Sequence, residues 1–137
     1  MTDFKKLIVW QKAHALALRC YHLASEMRCT QDVSLRSQIV RSAMSIPANI
    51  VEGRRQESQR EFARFLRYAL NSGCELEYHL IMARDIAAIS ESDASDLLND
   101  VIDVRKMLHG LIVRVKSDMS GSPREKLQPE EAPSIKH

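Results

Sequence analysis

Aromatic residues are scarce in this sequence and make up only 5% of its 137 positions. Strands are enriched in aromatic and β-branched residues, whereas Leu, Ala, Arg and Glu, which favour helices, are plentiful here. No apolar run approaches the roughly 18 residues that a membrane span requires. Residues 1–6 lead into a helical pattern and lack the apolar core of a secretory signal. The sequence therefore predicts a cytoplasmic, all-α protein with one domain and no membrane partner.

The cysteines are few and widely separated. Cys20, Cys29 and Cys74 form no C-x-x-C pair, which excludes the usual spacing of a zinc site or a redox pair. Cys20 and Cys74 fall on or beside apolar helix faces, so we expect both thiols to be buried and reduced. Cys29 falls in a predicted loop, and we expect it to be the most reactive of the three.

Catalytic motifs are also missing from the sequence. A di-metal carboxylate site in a helical bundle needs Glu from two helices and Glu-x-x-His from two others. Here Glu75 and His79 are four residues apart, and no Glu-x-x-His occurs. There is no Gly-rich phosphate loop, no Ser/His/Asp order and no activated Cys/His pair either. We predict no catalytic residue, no metal site, no cofactor and no small-molecule substrate, so we expect the protein not to be an enzyme.

Apolar residues recur at steps of three and four along four segments, which is the spacing of helices with one buried face. The segments span residues 9–27, 34–53, 58–89 and 92–116. The third is the most regular, and its apolar positions are Phe62, Leu66, Ala69, Gly73, Leu76, Leu80, Ala83 and Ala87. Short connections make successive helices antiparallel. The prediction is an up-and-down four-helix bundle over residues 1–117, with left-handed, coiled-coil-like packing and a disordered tail over residues 118–137.

Several residues mark where the predicted helices begin, end or bend. Ser58 and Glu61 form a capping box at the start of the third helix, and Gly53 suits the C-terminal cap of the second. Pro47 lies inside the second helix, where it predicts a kink; two short helices separated before Pro47 are the alternative. Gly73 lowers helix propensity in the third helix, which would be explained by another backbone passing close to it.

Charge is unevenly distributed, although the formal net charge is only +2. Residues 28–67 carry eight basic and four acidic side chains, whereas residues 75–103 carry eight acidic side chains and a single basic one. Arg60, Arg64 and Arg67 share a helix face that points away from the core, and Arg54 and Arg55 precede them. Such a stripe can bind phosphates of RNA or another nucleic acid. The alternative is a solvated face that is partly neutralised by nearby carboxylates.

A line of polar residues runs beside the apolar ladder of the second helix. Polar groups at the edge of a core are either solvated or joined in a network. We predict a structural network that also fits subunits together, and its members are Arg41, Ser45, Asn49, Glu52, Ser72 and Glu75.

Three blocks of the sequence resemble the 23S rRNA-intervening sequence protein family. The first lies within residues 3–13. The second is the most specific and contains Ser45-Ile46-Pro47-x-Asn49-Ile50-x-Glu52-Gly53. The third contains Ser58-x-x-Glu61-Phe62-x-x-Phe65-Leu66, followed by Ser72-x-x-Glu75-Leu76. The sequence departs from the family pattern at Arg55-Gln56, where a Gly-Arg pair is usual, and at Asn71, where Gly is usual.

The resemblance implies a four-helix bundle that assembles into a closed homopentamer. The family takes its name from genes that lie within insertions in 23S rRNA, which is a location and not an activity. A more distant resemblance is to the pentameric accessory proteins of diversity-generating retroelements, which bind nucleic acid and a reverse transcriptase. We therefore predict a non-enzymatic, oligomeric binding module with structured RNA as its partner. A protein-interaction scaffold without a nucleic-acid role is the alternative.

Overall fold

The structure is a computed structural model that describes residues 3–27 and 29–120. Within this part of the chain it contains four α-helices, two short 3-10 helices and no strand. The α-helices are α1 (Ile8–Ser25), α2 (Val33–Arg54), α3 (Gln59–Asp85) and α4 (Glu91–Met119), and the 3-10 helices are Phe4–Lys6 and Thr30–Asp32. The predicted all-α class is confirmed. Helix α4 continues past the predicted end at residue 116, and the rest of the predicted tail, residues 121–137, lies outside the described residues.

Residue pairs across the interfaces and the contacts between helices show how the four helices are arranged. Gly53 lies against Phe62, and Ser45 lies against Ser72, so α3 runs antiparallel to α2. Arg19 of α1 pairs with Asp100 of α4. Each helix contacts its two neighbours in the order α1, α2, α3, α4, while within the described chain the diagonal pairs do not approach each other. The arrangement is therefore an up-and-down bundle with its core along the central axis.

The core follows the apolar ladders of the sequence. Leu66, Leu76 and Leu80 of α3 are fully buried, and Ile39, Ile46 and Ile50 face them from α2. Val101, Val104, Leu108 and Val115 close the core from α4, and Leu16 and Cys20 do so from α1. Burial of a Leu or Ile side chain contributes roughly 1.5–3 kcal/mol to the free energy of folding. This shared core therefore holds the four helices together.

Helix α2 is continuous through Pro47. Proline lacks the N–H that would bond to the carbonyl of Ala43, yet neighbouring packing holds the helix together because Pro47, Ile46 and Ile50 are all buried. The alternative of two short helices is therefore wrong. The C-terminal cap of α2 is Arg55, not Gly53, and Gly53 is buried in the last turn of the helix.

Helix α3 ends at Asp85, before the predicted residue 89. The N–H of Ala87 donates to the carbonyl of Arg84 at 3.0 Å, and the N–H of Ala88 donates to the carbonyl of Ala83 at 2.8 Å. These bonds form a Schellman motif, in which the residue after the cap adopts the left-handed conformation. That residue is Ala87, with φ of 60°. Ala87 is exposed and is not a core position of α3, so its place in the predicted ladder is wrong.

The close approach predicted at Gly73 exists, but it involves a side chain. A Cβ on Gly73 would lie 3.2 Å from Cγ of Arg105 in α4. The guanidinium of Arg105 binds Glu77 at 2.5 Å. Gly73 therefore lets the aliphatic part of Arg105 cross α3 on its way to Glu77.

Candidate nucleic-acid interface

The start of α3 orients the predicted arginine stripe. The Oγ of Ser58 accepts a hydrogen bond from the N–H of Glu61 at 3.1 Å, which caps the helix as predicted. From this fixed start, helical spacing places Arg60, Arg64 and Arg67 on one exposed face. Arg60 and Arg67 make no ion pair within the described residues. Their guanidinium groups are therefore available to a ligand.

Arg64 is engaged within its own helix. It binds Oε1 of Glu61 through Nε at 2.9 Å and Nη2 at 2.6 Å, and it donates to the hydroxyl of Tyr68 at 2.7 Å. Its guanidinium also lies over the ring of Phe65, 5.1 Å from the ring centroid. The hydrogen bonds to Glu61 and then to Tyr68 raise the pKa of Arg64, which stays charged. Because this ion pair is exposed, it contributes little to stability and can be exchanged for a phosphate contact.

Arg54 and Arg55 lie at the end of α2, and they differ in environment. A Cβ on Gly53 would lie 3.0 Å from both Cδ1 of Phe62 and Cβ of Phe65, so the ends of α2 and α3 are in close contact there. The guanidinium of the half-buried Arg54 lies 5.1 Å from the ring centroid of Phe62. Arg54 is thus part of the packing between the two helices, whereas Arg55 is exposed.

The predicted polar network is smaller than the sequence indicated. The hydroxyls of Ser45 and Ser72 are 2.8 Å apart, and Nδ2 of Asn49 donates to the carbonyl and Oγ of Ser45 at 2.8 and 3.0 Å. The structure thus brings three of the six predicted members together across α2 and α3. Arg41, Glu52 and Glu75 are exposed and lie outside this cluster.

The cysteines occupy three different environments. Cys20 is buried, and desolvation raises the pKa of its thiol to about 12. Cys29 is exposed, in agreement with its predicted loop position. Cys74 is exposed as well, so its predicted burial is wrong. It follows Gly73 by one residue, and the helical turn of ~100° per residue carries it from the core to the outer side of α3.

Residues 3–27 and 29–120 contain neither a cluster of metal-ligating side chains nor a helix that could span a membrane. In the part of the chain that the structure describes, no group of three or more His, Cys, Asp or Glu side chains is arranged to hold a metal ion. No helix in these ranges is both long and apolar enough to cross a membrane.

Comparison with known proteins gives a family match. Residues 5–110 match the 23S rRNA-intervening sequence protein family, which is most of the chain. The chain belongs to this family. It is similar to a solved protein of unknown function from the S23 ribosomal protein family of Bacteroides thetaiotaomicron. The two share 29% sequence identity with a TM-score of 0.73, over 77% of this chain and 98% of the other. No curated protein matches the chain.

The most specific family motif, residues 45–53, makes structural contacts within the bundle. Ile46 and Ile50 are core residues, Ser45 and Asn49 form the polar cluster, and Gly53 provides the close contact with α3. Neither the family description nor the structural neighbour names an enzymatic activity. The family match therefore supports the fold and does not assign a function.

The order of the helices also brings basic side chains together at one end of the bundle, and the predicted arginines are only part of this group. One half of the bundle contains the start of α1, the end of α2, the start of α3 and the end of α4. We call this half the basic end. Among the described residues, it carries eleven basic side chains: Lys5, Lys6, Lys12, Arg54, Arg55, Arg60, Arg64, Arg67, Lys106, Arg114 and Lys116. Its five acidic side chains are Asp3, Glu52, Glu57, Glu61 and Asp118.

The opposite half of the bundle has the reverse balance. Among the described residues, it carries ten acidic and five basic side chains. The bundle is thus electrically polarised along its axis. Antiparallel pairing of α3 and α4 is what brings Arg114 and Lys116, at the end of α4, to the same end of the bundle as the arginine stripe. The sequence contained this signal, but only the pairing of the helices makes it visible.

Proposed function

We propose that this protein is a non-enzymatic, oligomeric module that binds structured RNA through the phosphates at its basic end. The main support for this proposal is the excess of basic over acidic side chains at the basic end, eleven against five among the described residues. Phosphate contacts by Arg and Lys provide most of the affinity of sequence-independent nucleic-acid binding, because they release condensed counterions. A basic surface at one end and an acidic one at the other would also orient the protein on its RNA.

Arg60, Arg67 and Arg55 are the leading phosphate ligands in this proposal, since all three are exposed. Arg64 joins them by exchanging its exposed ion pair with Glu61 for a phosphate. Arg54 supports the interface from within, where its guanidinium lies against Phe62. Binding through these groups reads the shape and charge of the RNA backbone and not its sequence.

A closed homopentamer, which the family resemblance implies, is the second part of the proposal. Five basic ends in one ring would bind one RNA with greater avidity than a single copy. The exposed family-motif residues Arg41, Glu52 and Glu75 are the proposed polar contacts between subunits, because they lie outside the cluster of Ser45, Asn49 and Ser72. Native mass spectrometry tests this part separately, and a monomer at micromolar concentration would contradict it. We also propose that the protein acts in the cytoplasm, in keeping with its free thiols.

A matched pair of charge reversals tests the RNA interface. Arg67→Glu changes the basic end, and Arg84→Glu makes the same charge change in the acidic half, where Arg84 pairs with Asp85. Binding of a structured RNA hairpin is measured by fluorescence anisotropy at low salt. We expect Arg67→Glu to weaken binding about tenfold, the effect of losing a phosphate contact and adding a repulsion. Arg84→Glu should bind nearly as the parent does. Equal effects of the two substitutions would contradict the proposed interface.

A protein-interaction scaffold is the second candidate function, and one observation favours it. An apolar groove of about 470 Å³ lies between α1 and α2 and is lined by Trp10, Pro47 and Val51 among others. Leu18, Tyr21 and Met44 at this groove are 47%, 55% and 54% exposed. Exposed apolar patches of this kind are typical of protein-binding surfaces. Absence of RNA binding at about 50 mM salt would leave the scaffold as the better function.

A further inference from the structure

A second cleft opens on the outer surface between α3 and α4. Its volume is about 630 Å³, within the range of roughly 300–1,000 Å³ that is usual for ligand sites. Leu70 of α3 and Ile102 of α4 contribute apolar surface to it. Arg105, Lys106 and His109 add polar and basic groups, and among the described residues that line the cleft there is no carboxylate.

Gly110 keeps this cleft open. It lies within the long helix α4, where Gly is less favourable than Ala by about 1 kcal/mol. Gly53 and Gly73 are explained by close contacts, but a Cβ on Gly110 would meet nothing within 4 Å. Packing among the described residues therefore gives no reason for a glycine at this position. Any larger side chain there would project into the space of the cleft.

The chemistry of the cleft suits an anion with an apolar surface. The charge of Arg105 is already engaged by Glu77 at 2.5 Å. Among the described residues that line the cleft, Lys106 is therefore the cation left for a ligand, and His109 is a further hydrogen-bonding group. The amide of Asn71 can donate to and accept from a base edge. An unpaired nucleotide combines these requirements, because its base has apolar faces and polar edges while its phosphate is anionic.

The cleft is also continuous with the basic end. Arg67 precedes Asn71 by four residues on α3, and Val113 and Arg114 follow Gly110 on α4. On the other side, Tyr78 is 59% exposed and lies one helical turn beyond Cys74 on the same face of α3, so it offers an aromatic surface near the cleft on which a base can stack. A strand whose phosphates lie on the stripe would reach the cleft within one helical turn of Arg67.

We propose that the cleft between α3 and α4 holds one unpaired nucleotide of an RNA strand whose neighbouring phosphates lie on the basic end. The inference rests on the proposed RNA-binding function and adds a preference to it: RNA with an unpaired segment binds better than a continuous duplex. The base lies against Leu70 and Ile102, and Lys106 binds its phosphate.

The two exposed cysteines provide a footprint with an internal control. Cys74 lines the cleft, whereas Cys29 lies in the connection before α2. The protein is alkylated at low salt with and without a mixed-sequence single-stranded RNA, and modification of each cysteine is followed by peptide mass spectrometry. Bound RNA should slow modification of Cys74 several-fold and leave Cys29 unchanged. A duplex of the same length should bind without protecting Cys74. Equal protection by the duplex would overturn the assignment of an unpaired nucleotide.

Two substitutions at Gly110 separate occupation of the cleft from folding. Gly110→Ala and Gly110→Leu both replace glycine by a better helix former, so both variants should fold at least as stably as the parent. Gly110→Leu fills the cleft and should weaken single-strand binding about tenfold, the effect of losing one stacked base. Gly110→Ala should bind almost normally.

The outcomes distinguish this inference from the function on which it rests. If RNA binds, but Cys74 is unprotected and Gly110→Leu binds as the parent does, then the cleft assignment is wrong and binding through the basic end stands. If neither RNA binds at about 50 mM salt, both proposals are wrong.

Discussion

Ala87 offers a substitution whose effect should run against the usual preference for alanine over glycine in helical proteins. It follows the cap of α3 with φ of 60°, a conformation that costs an L-residue with a Cβ about 1–2 kcal/mol. Its backbone N–H completes the Schellman motif with Arg84, and Ala88 completes the second bond with Ala83. Ala87→Gly keeps both bonds and removes the steric cost of the left-handed backbone.

The expected gain in the free energy of unfolding is the difference between two effects of the substitution. Relief of the left-handed conformation favours glycine by about 1–2 kcal/mol. The greater freedom of glycine in the unfolded chain offsets about 0.4–1 kcal/mol of this. Ala87→Gly should therefore stabilise the protein by roughly 0.5–1 kcal/mol, or about 2–5 °C in Tm for a chain of this size.

Urea and thermal denaturation measure the effect, and Ala15→Gly is the control. Ala15 is exposed within α1, where the same substitution should destabilise by about 1 kcal/mol because glycine is a poor helix former. Replacing alanine by glycine should thus change the stability in opposite directions at these two exposed positions. If Ala87→Gly lowers the midpoint as Ala15→Gly does, then the left-handed conformation at Ala87 is refuted.

Three further predictions concern the polar cluster, the helix contact and the buried thiol. Asn49→Ala removes the bonds to Ser45 and should cost about 1 kcal/mol or break the oligomer; an assembled variant with unchanged Tm would refute this role. Gly53→Val should cost about 2–3 kcal/mol in urea denaturation by overpacking against Phe65, and a stability equal to the parent's would contradict the close contact. The thiol of Cys20 ionises at about 12 when folded and at an ordinary pKa of 9.0 when unfolded. The neutral thiol therefore leaves the free energy of unfolding unchanged below pH 9 and lowers it by about 1.4 kcal/mol per pH unit above pH 9. Cys20→Ala should lose less stability than the parent protein between about pH 9 and 10.5.

The helices themselves could be predicted from the sequence because their apolar ladders are long and regular. Leu66, Leu76 and Leu80 keep the three-and-four spacing throughout, and all are buried as expected. The prediction from the ladder is wrong at Ala87. Alanine fits the apolar spacing there, but the Schellman bonds of Ala87 and Ala88 end the helix. The spacing of apolar residues alone does not indicate at which residue the helical backbone hydrogen bonds end.

The errors at Gly53 and Cys74 share a cause, which is that both depend on a neighbouring helix. A glycine near a helix end is commonly a cap, and only the position of Phe62 and Phe65 shows that Gly53 permits a close contact. Cys74 lies beside an apolar ladder on the outer side of α3, and it stays exposed there because the cleft against α4 is open. Similarly, Arg60, Arg64 and Arg67 were predicted to share an exposed face, whereas the contribution of Lys116 required the pairing of α3 with α4.

The salt dependence of RNA binding is the most direct test of the basic end as an RNA interface. The dissociation constant of the parent protein for a structured RNA with an unpaired loop is measured between about 50 and 200 mM monovalent salt. Contact with four or more phosphates predicts a loss of affinity of about a hundredfold or more over this range, and Arg60→Glu should make the dependence shallower. Binding that is insensitive to salt, or that is absent at the lowest salt, would contradict the account.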